Sequence, residues 1–335
     1  MENEKYKIDY NDSIVIRDHT LYRIISLVDM TFASKGDKGG YIESESNLSH
    51  ERNAWVGDNA CVFGKAYVSG NAYVFGSAWV YDNAQVYGYS KVYGSAKVYG
   101  NTLVSGNSQV YDNTEIYSEA RLFNDAKVFG SATVGGRAEV FANAEVYGWA
   151  KVYENARVCG SAQVYGGARI FGSSCVSDYA HVSDNAKVFG NSLISEDAKI
   201  FGNAEVLGNV EVYGNAEILG YTTKISGNAR FCEDAKIRNN EDYFCAQSFG
   251  SMDRTTTFFK TSEGWLVNCG CFNGTVEQFR EAVVKTHCDS LIAQEYLMIA
   301  DLAELRIKRH QHSDSQEVHI TDEELAKFKK IKEIP

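Results

Sequence analysis

The sequence predicts an all-β solenoid, a parallel β-helix built from short repeats, with an N-terminal β cap and a small α+β C-terminal domain. Three observations carry this. Stepping by six residues from Val56 to Ile218, all 28 positions are Val, Ile or Leu. The position two before each, from Ala54 to Ala216, is Ala 21 times, Ser or Thr six times, and Val once. Between successive pairs stands Gly or Asp followed by Asn or Ser, as in Gly70-Asn71 and Asp82-Asn83. A fixed short period without insertions is the signature of a solenoid, and a six-residue period points to a β-helix.

The small and aliphatic residues lie two apart, so in an extended strand they share a face. The residue between them points away, and there the chain is free: Lys91, Lys97, Gln109, Glu115, Arg121, Lys127. Gly takes positive φ without steric cost and Asn tolerates it, so each unit reads as a short strand and a tight corner. One six-residue unit cannot bury its apolar side alone, whereas three units, eighteen residues, close a triangular coil. Coils stacked at about 4.8 Å set each Val over its counterpart one coil earlier. The 28 units give a little over nine coils, a rod of about 45 Å on that spacing.

With Leu, Ile or Val in the first slot and Ser, Thr, Ala or Val in the fifth throughout Val56–Ile218, the chain resembles the left-handed β-helix hexapeptide-repeat proteins. The resemblance implies the left hand, where crossover rules alone favour the right, and it implies homotrimers. It also implies that any catalysis is acyl transfer by a His between subunits or zinc held by three His. One departure stands out: Phe or Tyr follows the aliphatic mark in 18 of 28 units. Sorted by eighteen, one column carries Phe75, Tyr93, Tyr111, Phe129, Tyr147, Tyr165 and Phe201, and a second Phe63, Tyr81, Tyr99, Tyr117, Tyr153, Phe171 and Phe189. The third is sparser: Ser69, Tyr87, Ser105, Phe123, Phe141, Cys159, Ser177, Ser195, Tyr213. Stacked rings are expected to stabilise successive coils by roughly 0.2–1 kcal/mol each. The run Phe75, Tyr93, Tyr111, Phe129, Tyr147 and Tyr165 is the candidate subunit interface. Ser69, Ser105, Ser177 and Ser195 are the candidate lining of a small-ligand cleft between subunits.

The segments flanking the repeat follow from local pattern. Residues 1–40 read as a β-hairpin cap, with strands Ser13–Ile16 and Thr20–Leu27 about the turn Arg17-Asp18-His19, covering strand edges that an open coil would expose. Gly-rich Lys35–Gly40 lacks a phosphate-binding spacing. The β-helix is placed at 41–238, its first coil irregular. After Ile218 the segment Tyr221-Thr222-Thr223-Lys224 adds one residue, and Ile225, Phe231 and Ile237 continue in the new phase. Such a slip marks the coil's ending or a local pocket, and we read it as an ending. Residues 239–312 form a ββαα domain: a hairpin of Thr255–Thr261 and Trp265–Cys269, then a helix opened by a capping box, Thr275 with Gln278. That helix buries Phe279, Ala282, Val283 and Thr286. A second, from about Ser290 to His310, buries Leu291, Tyr296, Ile299, Leu302, Ala303 and Leu305. Residues 313–335 are a polar tail with a short helix from Thr321.

Composition bounds the function. Net charge is −11 with both signs interleaved, which argues against a nucleic-acid groove. The start MENEKYKIDYNDS has no apolar stretch, and no run reaches membrane-spanning length, so the chain reads as cytoplasmic, its eight Cys reduced. The repeat holds one His, His181, in a free slot with no extruded loop, the runner-up catalytic residue. Cys269, Cys271, His287 and Cys288 are four potential zinc ligands within twenty residues, but their spacing is poor. They are expected instead to act as small apolar residues, and neither metal nor cofactor is expected.

The segments His19–Ile24 (HTLYRI), Gly36–Ser49 (GDKGGYIESESNLS), Thr255–Thr261 (TTTFFKT) and Gly264–Thr275 (GWLVNCGCFNGT) resemble repeat proteins of tailed phages and their bacterial hosts, of unassigned activity. That resemblance implies a phage-encoded, non-enzymatic binding or assembly protein in the host cytoplasm. It would counter host defence by sequestering a nucleotide signal or by binding a host protein. An acyltransferase is the alternative, and a virion or filament component the second.

Overall fold

The computed structural model describes residues 4–220 and 223–311. The chain forms two compact units: residues up to Asp242 with Lys260–Glu263, and Tyr243–Phe259 with the chain from Gly264 on.

The first unit is a parallel β-solenoid of about 11 turns. Two-residue strands recur at the six-residue step, and each pairs with the strand eighteen residues on, as Lys91-Val92 with Gln109-Val110 and Lys127-Val128 with Glu145-Val146. All 28 aliphatic marks are 0% exposed, and the small slot between them is as dry. The intervening Lys, Gln, Glu and Arg face outward, where they pair along the axis: Lys127 Nζ with Glu145 Oε1 at 3.0 Å, Lys187 with Glu205 at 2.7 Å. The coil does not end at the phase slip, contrary to the sequence reading. Glu205 pairs with Lys224 and Val206 with Ile225, nineteen residues apart, and Ile225, Phe231 and Ile237 are buried. The inward face therefore resumes in phase at Ile225, one residue later than the six-residue step.

Ser or Thr in the small slot would bury a hydroxyl, and the corner supplies its acceptor. Ser90, Ser108, Thr114, Ser174 and Ser192 each donate to the carbonyl three residues back, at 2.7–2.9 Å. The corner residue itself has positive φ. Where it is not Gly it is usually acidic, and its carboxylate takes the N–H of the corner one turn on: Asp58 from Gly76, Asp112 from Gly130, Glu154 from Gly172, Asp184 from Gly202. A side chain that returns a hydrogen bond offsets the left-handed strain, so Gly and Asp alternate freely at this slot.

At the N-terminal end, Tyr6–Ile16 and His19–Ser26 form an antiparallel hairpin whose first strand bulges between Asp9 and Ser13. That strand begins earlier than its polar sequence suggests. His19–Ser26 pairs with Lys38–Ile42, which pairs in parallel with Cys61-Val62, so the hairpin prolongs one solenoid sheet. Side chains plug the coil mouth. Buried Lys5 donates to Ser49 O and Ala54 O, both at 2.6 Å. Buried Asn47 donates to Gly64 O and Ala66 O and accepts from Ser44 N. Gly39 is required by contact: a Cβ there would stand 2.6 Å from Ile24, Trp55 and the Val56 carbonyl.

In the second unit the sheet has four strands, Tyr243–Phe249, Arg254–Lys260, Trp265–Cys269 and Phe272–Thr275, where the sequence suggested two. Two helices follow, α1 (Val276–His287) and α2 (Leu291–Gln311). The Thr275–Gln278 capping box forms in both directions, at 3.2 and 2.9 Å. Phe279, Val283, Tyr296, Ile299 and Ala303 are buried as expected, but Thr286, Leu291 and Leu302 are exposed. Ala293 and Ala300 take the inner stripe, and a leucine two residues from either lies on the opposite side of the helix. The expected polar tail lies outside the described residues. No described helix is long and apolar enough to cross a membrane.

Candidate functional site

The aromatic column forms a continuous stack. Phe75, Tyr93, Tyr111, Phe129, Tyr147 and Tyr165 follow one another at 4.8–5.0 Å between ring centroids, with interplanar angles of 1–8°. Tyr73 and Phe32 extend it at the N-terminal end, with spacings of 4.2 and 4.4 Å. The rings stack within one chain as cross-strand pairs do; each is half-buried and keeps an outer edge in solvent. Burial, reinforced by Tyr93 and Asp112, pushes the Tyr111 hydroxyl up to about 12. Phe63, Tyr81, Tyr99 and Tyr117 form a second stack, interrupted at Gly135, where a Cβ would meet the Tyr117 ring at 2.4 Å.

The four candidate serines share one column of the coil without converging. Ser177 and Ser195 occupy successive turns, while Tyr87 separates Ser69 from Ser105, and Phe123, Phe141 and Cys159 separate Ser105 from Ser177. Ser105 is buried and its hydroxyl turns back to Leu122 O; Ser177 donates to Asp178. Between them lies a thiol pair that sequence reading left as scattered cysteines. The Cys175 thiol is held below the ordinary thiol value, chiefly by its hydrogen bond with Cys159 and further by the Arg157 guanidinium, against burial. Arg157 faces Cys175 directly across the strand pair.

His181 sits on the solenoid wall between Gln163 and Lys199, its ring edge-on to Tyr165 at 6.4 Å. Among the described residues no carboxylate orients it. The proposed zinc ligands do not meet either. Gly270 makes the turn, with Cys269 paired to Phe272, but Cys269 faces Thr256 inside the unit while Cys271 and Cys288 are exposed and His287 stacks on Tyr296. No group of three or more metal-ligating side chains is assembled among the described residues. All eight cysteines are free thiols.

A groove of about 640 Å³ opens along one corner of the solenoid, lined by Trp149, Gly166, Gly167, Asp184, Asn185, Gly202, Asn203, Leu219 and Gly220. It follows from two departures at a slot that elsewhere holds mostly Asn or Ser. Trp149 places an indole there, and one turn on Gly167 places no side chain. Both departures were visible as breaks in the repeat, but the sequence does not say that they adjoin a hollow. No protein-family model matches the chain, and no curated protein matches it.

Proposed function

We propose that the protein is a non-enzymatic binding and assembly rod that presents the stack from Phe75 to Tyr165 to further copies of itself, with a closed trimer the favoured form. The carrying observation is the unbroken six-ring line with its outer edges in solvent. A regular apolar ridge along a rigid wall is a surface that an identical ridge can meet in register. The resemblance to left-handed hexapeptide-repeat trimers supports the same reading.

Sedimentation equilibrium tests it. The wild-type chain is expected to be trimeric at micromolar concentration, and the pair Tyr111→Glu with Phe129→Glu to be monomeric with its β circular dichroism kept. A monomeric wild type would refute the interface, and open-ended growth would support the virion or filament reading instead. The phage resemblance supports a role in the host cell, trapping a nucleotide signal or occupying a host protein, for which calorimetry with cyclic dinucleotides is the direct assay. Coenzyme A turnover abolished by His181→Ala would establish the acyltransferase alternative.

A further inference from the structure

We propose that the corner groove beside Trp149 is a binding site for a neutral saccharide. This is independent of the assembly reading, because it uses a different set of side chains. Trp149 is 72% exposed, the most exposed large apolar side chain in the molecule among those described. An indole so exposed leaves a broad apolar face in water, and a ligand laid on that face would remove it from solvent. Trp149 and Leu219 both line the hollow, so the groove offers one broad apolar side chain and one small one.

Polar groups complete the site. Asn185 Nδ2 donates to Asn203 Oδ1 at 3.2 Å. Whichever way the two amides are turned, that pair leaves one carbonyl and one amino group directed to solvent. Asp184 Oδ2 accepts from Gly202 N at 2.9 Å, leaving Oδ1 as a further acceptor. Two acceptors and a donor, spaced along successive turns beside an aromatic face, match the vicinal hydroxyls of a pyranose ring laid on the indole. Charge selects among planar ligands. Among the described residues the one ionisable side chain lining the groove is Asp184, and it is acidic. A phosphate-bearing nucleotide would be repelled there, whereas a neutral polyol is not.

Gly167 is the permissive element. In the same corner column its counterparts are Ser131 one turn before Trp149 and Asn185 one turn after Gly167, so a side chain is ordinarily accommodated. At Gly167 an added Cβ would approach Asn185 Oδ1 at 3.0 Å and project into the hollow.

The test uses the full chain and three neutral disaccharides, cellobiose, maltose and N,N′-diacetylchitobiose, followed by saturation-transfer NMR and tryptophan fluorescence. At least one is expected to bind with Kd on the order of 1 mM, weakened roughly tenfold or more by Trp149→Ala and by Gly167→Asn. Trp149→Ala should keep the wild-type melting temperature, since the indole is exposed, and Gly167→Asn, whose Cβ also meets the Asp184 carbonyl at 3.2 Å, should remain folded at the assay temperature, which a thermal melt checks. Absence of saturable binding by all three sugars overturns the proposal. So does binding that survives both substitutions.

Discussion

The Asp112 carboxylate accepts the backbone N–H of Gly130, one turn further along the coil, at 3.0 Å. Asp112 has φ of +61°, a conformation that penalises any side chain with a Cβ, and the hydrogen bond offsets the penalty. Ala142 occupies the same corner slot with φ of +58° and has no side chain to answer with. Ala142→Gly is therefore expected to raise stability by about 1 kcal/mol. Ala142→Asp should do so as well by reaching Gly160 N, while Asp112→Ala should lower stability by about 1–2 kcal/mol. Thermal melts of the three variants check the signs.

Thr102 and Thr114 fill the same small slot two units apart. Thr114 Oγ1 donates to Tyr111 O at 2.7 Å, whereas Thr102 Oγ1 is buried with no hydrogen-bond partner. Val is nearly isosteric with Thr and already fills this slot at Val210. Thr102→Val should stabilise by about 1–2 kcal/mol, because a desolvated hydroxyl is removed at little loss of packing. Thr114→Val should destabilise by roughly 0.5–1.5 kcal/mol, because Tyr111 O loses its donor. Equal shifts in denaturation midpoint would contradict this account.

The period makes facing the most legible property of the sequence, and adjacent substitutions expose it. Val146 is 0% exposed and Glu145 lies outside it. Val146→Asp is expected to unfold the solenoid locally or wholly, since an unpaired carboxylate inside the coil costs several kcal/mol. Glu145→Lys, read from sequence alone, looks silent. The structure adds that Glu145 pairs with Lys127, so the substitution sets two cations side by side, and a loss of up to about 1 kcal/mol is expected, reduced by salt. Comparable losses in the two variants would overturn the assigned facing.

Much of the solenoid was legible because one rule, repeated at a fixed step, decides which side chains are inside. The Thr275–Gln278 capping box was legible for a similar reason, being local. What escaped the sequence were features created by neighbours a whole turn apart. The hollow at Gly167 exists only because Trp149 and Asn185 stand on either side of it. The thiol pair exists only because Cys159 and Cys175 lie on consecutive turns. Leu291 and Leu302 were assigned inward on apolarity, and the smaller Ala293 and Ala300 displaced them because a helix has one packed stripe. The polar start of Tyr6–Ile16 hid a strand whose pairing comes from His19–Ser26.

The stacked tyrosines and the plugging lysine give stability a two-sided dependence on alkaline pH. Tyr93, Tyr111 and Tyr147 are all raised above their ordinary value, first by burial and then by neighbouring carboxylates and tyrosines. Below pH 10 they are neutral in both states and contribute fully. Above it the unfolded chain ionises first, so stability falls as pH rises through their folded values, about 12 for Tyr111. Lys5 acts in the opposite sense. Burial lowers it from 10.5 to about 8, so between those values the folded state sheds a proton that the unfolded state keeps, and stability rises with pH. Melting temperature is therefore expected to climb modestly above pH 8 and then drop steeply beyond pH 10. Lys5→Met should remove the climb, and Tyr93→Phe with Tyr111→Phe and Tyr147→Phe should flatten the drop while leaving the stack intact. A drop equally steep in the triple variant would mean that the stacked hydroxyls are not its source.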